Sequence, residues 1–566
     1  MNTAKKLLAL LLALCLAVGL LAACGSTPTP SEPTNETPDE TQGEQTPDAT
    51  QGGEVSTEGP QYGGHMNVRL AAVCNGVDPT LQTGAWKLLY MTCVFESALT
   101  RDAENNIRPA VCDFELSDDQ LDLKLWVRDG YTFSNGDAVD IYDVQASIDR
   151  ALKRHSGMAK HVKPLVSSME VENDGSKDIL HITFKSFNEL TMYYMASYQT
   201  WAAIQPKEIC EKYASGFNVE NLDDAIGTGP YKFTDFQDSV YITVTKRDDY
   251  VPVESEYSGF AGTKYGYMDS ITFWYNGDDS SACMAVLNGD YDVTEVVPSD
   301  YKALAEDKGL TMTALPSDQR TWMVFNTRGT ENLCAKYPSL RKAVLAAIDY
   351  TEFLDIITDG SAIYEGTNSG MVIKEEYATD AFTRQDYYGA ANQDVVDKYL
   401  AAAEAEGYAG QPLQLVAGSG RDDVPTLLVN AMENYGINYK LTTLENISYN
   451  KFIGDPSNNW DFYFSWKETA YTPSLMEDWI LDRNYKCEEK DVLLAEMRAL
   501  DPTSDEYMAK WQELASLTAD NAYIGYMSAI DWWWWHPETL VINNSEGMHR
   551  YMYNAYWTDP ANHPAE

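Results

Sequence analysis

Between Leu121 and Leu152 the apolar period changes from two residues to that of a helix, and no other stretch constrains the fold as tightly. Leu121, Leu123, Leu125 and Val127 alternate with Asp122 and Lys124, the pattern of a strand buried on one face. Asp129-Gly130 and then Asn135-Gly136-Asp137 supply turn chemistry. Asp140 can then cap a helix, with Asp143 at its third position and Ile141, Val144, Ile148, Ala151 and Leu152 on one stripe. A second helix is predicted after Pro338, with Ser339 as its cap and Leu340, Val344, Ala347 and Ile348 on its buried side. A third covers roughly 393–406 and stops at Gly407, a natural left-handed terminator. Strand and helix signals stay mixed throughout with no short repeat, which argues for α/β bodies over an all-α or all-β fold.

A chain of 566 residues is too long for one ordinary core and suits two or three packed units, which its 44% hydrophobic content can fill. The charge is one-sided: 86 acids stand against 41 bases, a formal net charge of −45. Such a surface repels phosphate backbones and anionic lipid, so nucleic acid is not expected as a partner. The 37 Tyr and 14 Trp fill cores, and they also suit a protein that grips ligands with flat, stiff side chains.

Residues 1–23 read as a secretory signal. Lys5 and Lys6 form its positive end, and Leu7 to Ala23 is an apolar run on the short side for a membrane span. The run ends in Leu21-Ala22-Ala23-Cys24-Gly25, which resembles the bacterial lipobox. That resemblance implies a diacylated Cys24 that holds the protein at the membrane, since each buried CH₂ of an acyl chain contributes about 0.8 kcal/mol. Residues 24–61 are rich in Gly, Ser, Thr, Pro, Gln and acids, without Lys or Arg, and are expected to form a disordered acidic tether.

Nine cysteines occur, and removing Cys15 of the signal and Cys24 leaves Cys74, Cys93, Cys112, Cys210, Cys283, Cys334 and Cys487. An odd number without a CxxC spacing reads as mostly buried free thiols. The seven His show no ligand-spaced pair, so neither a metal nor a cofactor is expected. No GxSxG, HExxH or Walker loop is present, and Ser448-Tyr449-Asn450-Lys451 fits SxxK without its usual companions, so an enzyme is not expected. Acidic pairs such as Asp278-Asp279 and Asp422-Asp423 are expected in solvated loops.

Eight blocks in order carry a family resemblance: Tyr62-Gly63-Gly64 with Val77-Asp78-Pro79-Thr80, Trp126 to Arg150, Ile226 to Phe233, Leu287 to Val293, Val324 to Thr327, Leu340 to Leu354, Tyr399 to Tyr408 and Trp460 to Ser474. Together they resemble the extracellular solute-binding proteins of family 5, the oligopeptide- and dipeptide-binding group. The resemblance implies a two-lobed periplasmic-binding-protein-like α/β fold of type II (cluster C), with an inserted subdomain in the first lobe. Lobe one would comprise 62–97, 225–325 and 520–566, the insertion 98–224, and lobe two 326–519, with crossings near Trp322–Asn326 and near 515–525. It further implies a monomer that captures a small solute, foremost an oligopeptide or dipeptide, by lobe closure and delivers it to ABC permease subunits. A lipid-anchored extracellular hydrolase, or a surface sensor or adhesin on the same fold, is the alternative.

The same resemblance points to a site. Ser465-Trp466-Lys467-Glu468-Thr469 matches the stretch lining the family's cleft, with Trp466 as an aromatic against which ligand packs. Where peptide-binding relatives carry an Asp for the ligand's amino terminus, this chain has Thr469, with Glu468 adjacent. Thr83-Gly84 corresponds to a cleft-facing strand start, where Gly lets a ligand backbone approach. Tyr526 is a further aromatic candidate, and Arg421 either clamps a carboxylate or sits in solvent. In a strand, Trp532 and Trp534 face one side and Trp533 and Trp535 the other, so the run either fills cores or lends one pair to a pocket or partner.

Overall fold

The alternating segment forms a strand and the stripe beyond it a helix, in a computed structural model that describes residues 59–564 apart from 72, 74–75, 82–84, 187, 198, 216–221, 296, 298, 330, 359–376, 419–422, 469–472, 474–485, 503 and 543–550. The described chain opens with β1 (His65–Leu70), helix α1 (Ala85–Val94) and the short pair β2 (Leu99–Arg101) and β3 (Ile107–Pro109). Next come β4 (Cys112–Leu116), β5 (Asp122–Val127), helix α2 (Ile141–Arg154), β6 (Val166–Asn173) and β7 (Asp178–Phe184). These four strands make an antiparallel sheet in the order β4-β5-β7-β6. The chain then supplies β8 (Tyr231–Gln237), β9 (Tyr241–Lys246) and β10 (Ser270–Tyr275), which join β1 in the order β1-β10-β9-β8.

Local chemistry accounts for α2. Asp140 accepts the N–H groups of Tyr142 and Asp143, and the Asp143 carboxylate accepts the N–H of Asp140, a complete capping box. Burial and the neighbouring Asp140 raise the Asp143 pKa, while hydrogen bonds from the Asp140 and Lys207 backbones oppose the shift. Ile141, Val144, Ile148, Ala151 and Leu152 are all buried, and Leu123 and Leu125 of β5 meet them in one core.

After helix α3 (Asp279–Asn288), strand β11 (Leu310–Phe325) leads into a second body. It contains helices α4 (Pro338–Ala346) and α5 (Gln393–Glu406), β12 (Leu413–Gly418), β13 (Tyr439–Leu444), β14 (Phe462–Glu468), helices α6 (Glu488–Met497) and α7 (Asp505–Asp520), and β15 (Ile524–Pro537). Its five-stranded sheet has the order β13-β12-β14-β11-β15. Strand alternation splits β11 between two cores: Met323 and Phe325 pack with α4 and α5, whereas Trp322 and Val324 face Trp511 and Tyr526. The latter cluster is continuous with the β4–β7 core, reaching Tyr194 and Trp201.

β11 and β15 pair from Leu310↔Pro537 to Val324↔Ile524, with register shifts between Leu315 and Gln319 and between Thr321 and Trp322. Their far ends leave the five-stranded sheet: Trp534 is buried in the β1 core, and Trp535 with Cys283, Val286 and Leu310 in a satellite core. The tryptophan run therefore fills cores on both strand faces at these two positions; the side chains of Trp532 and Trp533 lie outside the described residues.

One expectation fails. Ser339 does not cap α4, because Pro338 takes the first helical position, where its missing N–H costs nothing. Ser339 Oγ donates instead to Glu406 at 2.7 Å, tying α4 to α5. α5 ends as expected at Gly407, whose φ is +107°. Asp278 caps α3 and Asp279 pairs with the buried Arg69 at 2.6 Å, so this acidic pair is structural rather than loop decoration. Cys93, Cys112, Cys210, Cys283 and Cys334 are buried free thiols and Cys487 a half-buried one, while Cys74 lies outside the described residues. Burial pushes the Cys93 and Cys112 thiols far up, so they stay protonated.

Candidate ligand-binding cleft

The sequence blocks that carried the resemblance act as buried stitches. Asp78 accepts both the N–H and the hydroxyl of Thr80, and its second oxygen takes the Arg150 guanidinium at 2.7 Å. Arg150, the last residue of the Trp126–Arg150 block, also reaches Gln205 Oε1 and the Tyr213 carbonyl. Arg247 donates to the carbonyls of Thr132, Phe133, Thr228 and Gly229, joining the glycine turn before α2 to the 226–233 block. Gly227 and Gly229 are needed there because a Cβ would strike the Val94 and Cys93 carbonyls. In the second body Asn326 donates to the carbonyls of Pro456 and Trp460, and Arg341 to those of Asn521, Ala522 and Cys334. Asp461, whose pKa burial raises, accepts N–H groups of Gln414 and Cys334 and so fixes where β14 begins. The Asp78–Arg150, Arg247–Phe133, Asn326–Trp460 and Arg341–Asn521 contacts join residues 72 to 180 positions apart, so no local signal in the sequence encodes them.

They position β14 against β11. The register sets Ser465 opposite Trp322, Trp466 opposite Thr321, Lys467 opposite Arg320 and Glu468 opposite Gln319. On its other edge β14 meets β12 at Leu415 opposite Phe462. Beyond that point, among the described residues, the 465–468 backbone has no strand on this side. Among the described residues, then, the 465–468 backbone is paired on one side only, with β11.

The candidate side chains fare unequally. The side chains of Trp466, Lys467 and Glu468 lie outside the described residues, as do Thr83, Gly84, Arg421, Thr469 and Cys24 altogether. Tyr526 is buried at 4% exposure, edge-on to Trp322 at 5.2 Å and near Phe382 at 6.3 Å. Trp322, named from the sequence only as the start of a crossing, is not among the predicted ligand residues. It is fully buried, and its indole N–H meets no acceptor among the described residues. At the far end of β15, opposite Thr311, His536 sits between Thr313 Oγ1 at 2.8 Å and the Pro537 carbonyl at 3.0 Å, and burial lowers its pKa. Among the described residues no cluster of His, Cys, Asp or Glu could hold a metal, and no helix is long and apolar enough to cross a membrane.

Comparison with known proteins agrees with this architecture. The glutathione-binding protein GsiB of Salmonella paratyphi A is 23% identical over 254 residues, 44% of this chain and 45% of that protein. The oligopeptide-binding protein AppA of Bacillus subtilis is 24% identical over 283 residues, 46% of this chain and 48% of that protein. The matches thus span about half the length of these relatives. Among solved structures, DppA of Helicobacter pylori in complex with the peptide STSA superposes with a TM-score of 0.71 at 16% identity, covering 88% of this chain and 98% of that one. The substrate-binding protein CtaP of Listeria monocytogenes gives 0.69 at 18% identity, covering 88% and 100%. NikA of Staphylococcus aureus, in complex with Ni(L-His)2, gives 0.66 at 17% identity, covering 87% and 100%. These likenesses establish the two-lobed fold of periplasmic binding proteins. Residues 103–486, more than half of the chain, match the family described as bacterial extracellular solute-binding proteins, family 5, and the chain belongs to that family.

Proposed function

We propose that this protein captures a peptide between its lobes, without chemical change, and hands it to the permease of an ABC importer. The observation that carries this reading is the β14 backbone at 465–468, paired among the described residues with β11 alone and set beside the β11–β15 ladder. An extended ligand can add as a strand to a backbone paired on one side: backbone hydrogen bonds give affinity and side-chain pockets give tolerance. The names of GsiB, AppA and DppA support a peptide as the solute. In this reading lobe one comprises 62–97, 225–325 and 520–566, carries the 98–224 insertion and faces lobe two, 326–519. The register shifts in β11 are where the crossing strands flex, since an irregular ladder bends more easily than a regular one. Cys24 carries the lipid anchor, and the protein acts as a monomer.

Within this site Trp466 packs against the ligand and Glu468 takes its amino terminus in place of the family's Asp, with Lys467, Thr469, Thr83, Gly84 and Arg421 around it. The test is a thermal shift with free and N-acetylated peptides of two to nine residues, followed by recovery of the ligand. A rise in melting temperature with free peptides, recovered intact, supports the reading; no rise with any peptide, or recovery of cleaved fragments, contradicts it. Glu468→Gln should weaken free peptides by about 1.5–3 kcal/mol, roughly 10- to 150-fold, and leave acetylated ones unchanged.

A further inference from the structure

Away from the cleft, Glu96 and Lys264 form a buried ion pair, with Nζ 3.0 Å from Oε1 and side chains 6% and 8% exposed. The second carboxylate oxygen of Glu96 accepts the Thr228 hydroxyl at 2.9 Å. The Lys264 ammonium lies 5.0 Å from the centre of the Tyr553 ring. Two small cavities flank the pair, and Glu96 and Lys264 line both of them. Each is about 10 Å³, which is room for one water.

The walls are polar where a water would need them to be. The first cavity adds Ser97 and Thr200, and Ser97 Oγ is fully buried with no hydrogen-bond partner among the described residues. The second adds Tyr131 and Tyr250. Burial, helped by the Glu96 charge, pushes both phenols well above their usual pKa, so they remain neutral hydroxyls. An ammonium has three donors and a carboxylate about four acceptor sites, so the pair's direct contact leaves both with capacity. A buried water takes two to four such partners.

We propose that the Glu96–Lys264 pair holds two internal waters, one on either side, the first bridging Ser97 Oγ to the ion pair and the second joining the pair to the Tyr131–Tyr250 wall. Pro109, Arg128 and Ser255 line both the second cavity and a surface groove of about 520 Å³, which gives that water a route to solvent. The first cavity shares no lining residue with the groove, so its water is the more slowly exchanging of the two.

A crystal structure of the intact protein, at a resolution that orders waters, tests this. The expected result is one density peak within hydrogen-bond reach of Ser97 Oγ and either charged group, and a second on the Tyr131–Tyr250 side. Two dry cavities, or a Ser97 hydroxyl satisfied by protein alone, would overturn it. Ser97→Ala should abolish the first peak and keep the second; persistence of the first peak in that variant would also contradict the assignment.

Discussion

Arg150 and Asp78 illustrate what a single buried pair demands. Both side chains are 3% exposed, so neither charge can turn to water if the other is removed. Arg150→Met should therefore cost about 3–5 kcal/mol in urea unfolding, and adding Asp78→Asn should recover part of the loss. If the double variant were as unstable as the sum of the two singles, the pair would not be the cause. His536 gives a prediction in pH. Burial lowers its pKa below the ordinary 6.5, so the folded state binds fewer protons than the unfolded state in that window. Its contribution is complete above pH 6.5 and is lost as pH falls through the folded pKa. Chemical denaturation between pH 7 and roughly pH 5 should show a shallower stability loss in His536→Asn than in the parent protein; equal slopes would remove His536 from the account.

At the scale of elements, α2 and α5 show where local chemistry decides. Asp140→Ala opens the capping box and should cost about 0.5–2 kcal/mol. Gly407→Ala forces a Cβ into the left-handed region and should cost about 1–2 kcal/mol. Equilibrium unfolding of each variant checks both, and a neutral Gly407→Ala would mean that α5 ends differently. These elements were legible in the sequence because cap, stripe and terminator lie within a few residues of one another. Ser339 does not cap because Pro338 starts the helix before it, and the partner its hydroxyl takes, Glu406, lies 67 residues away. The β11–β15 ladder was invisible because it joins residues at least 200 positions apart. The site was legible only by resemblance. Backbone register pairs Trp466, Lys467 and Glu468 with β11, whereas the burial of Trp322 and Tyr526 depends on packing that no periodicity encodes.

For the whole molecule, the arrangement explains why a family can be read from a chain whose solute cannot. Asp78, Arg150 and Arg247 stitch the first body and Asn326 and Arg341 the second, each to partners inside the protein. A ligand that meets mostly backbone leaves little trace in residue type. Closure should tighten the particle, and small-angle scattering should show a smaller radius of gyration at saturating peptide. Ligand at a hundred times its Kd should also add about 2.7 kcal/mol to stability. The most direct measurement is native mass spectrometry of the freshly purified protein, followed by release of whatever it carries. A ladder of peptide masses bound one per chain is the predicted result; a single non-peptide mass, such as a metal chelate or a sugar, would contradict the claim that the lobes close on peptide.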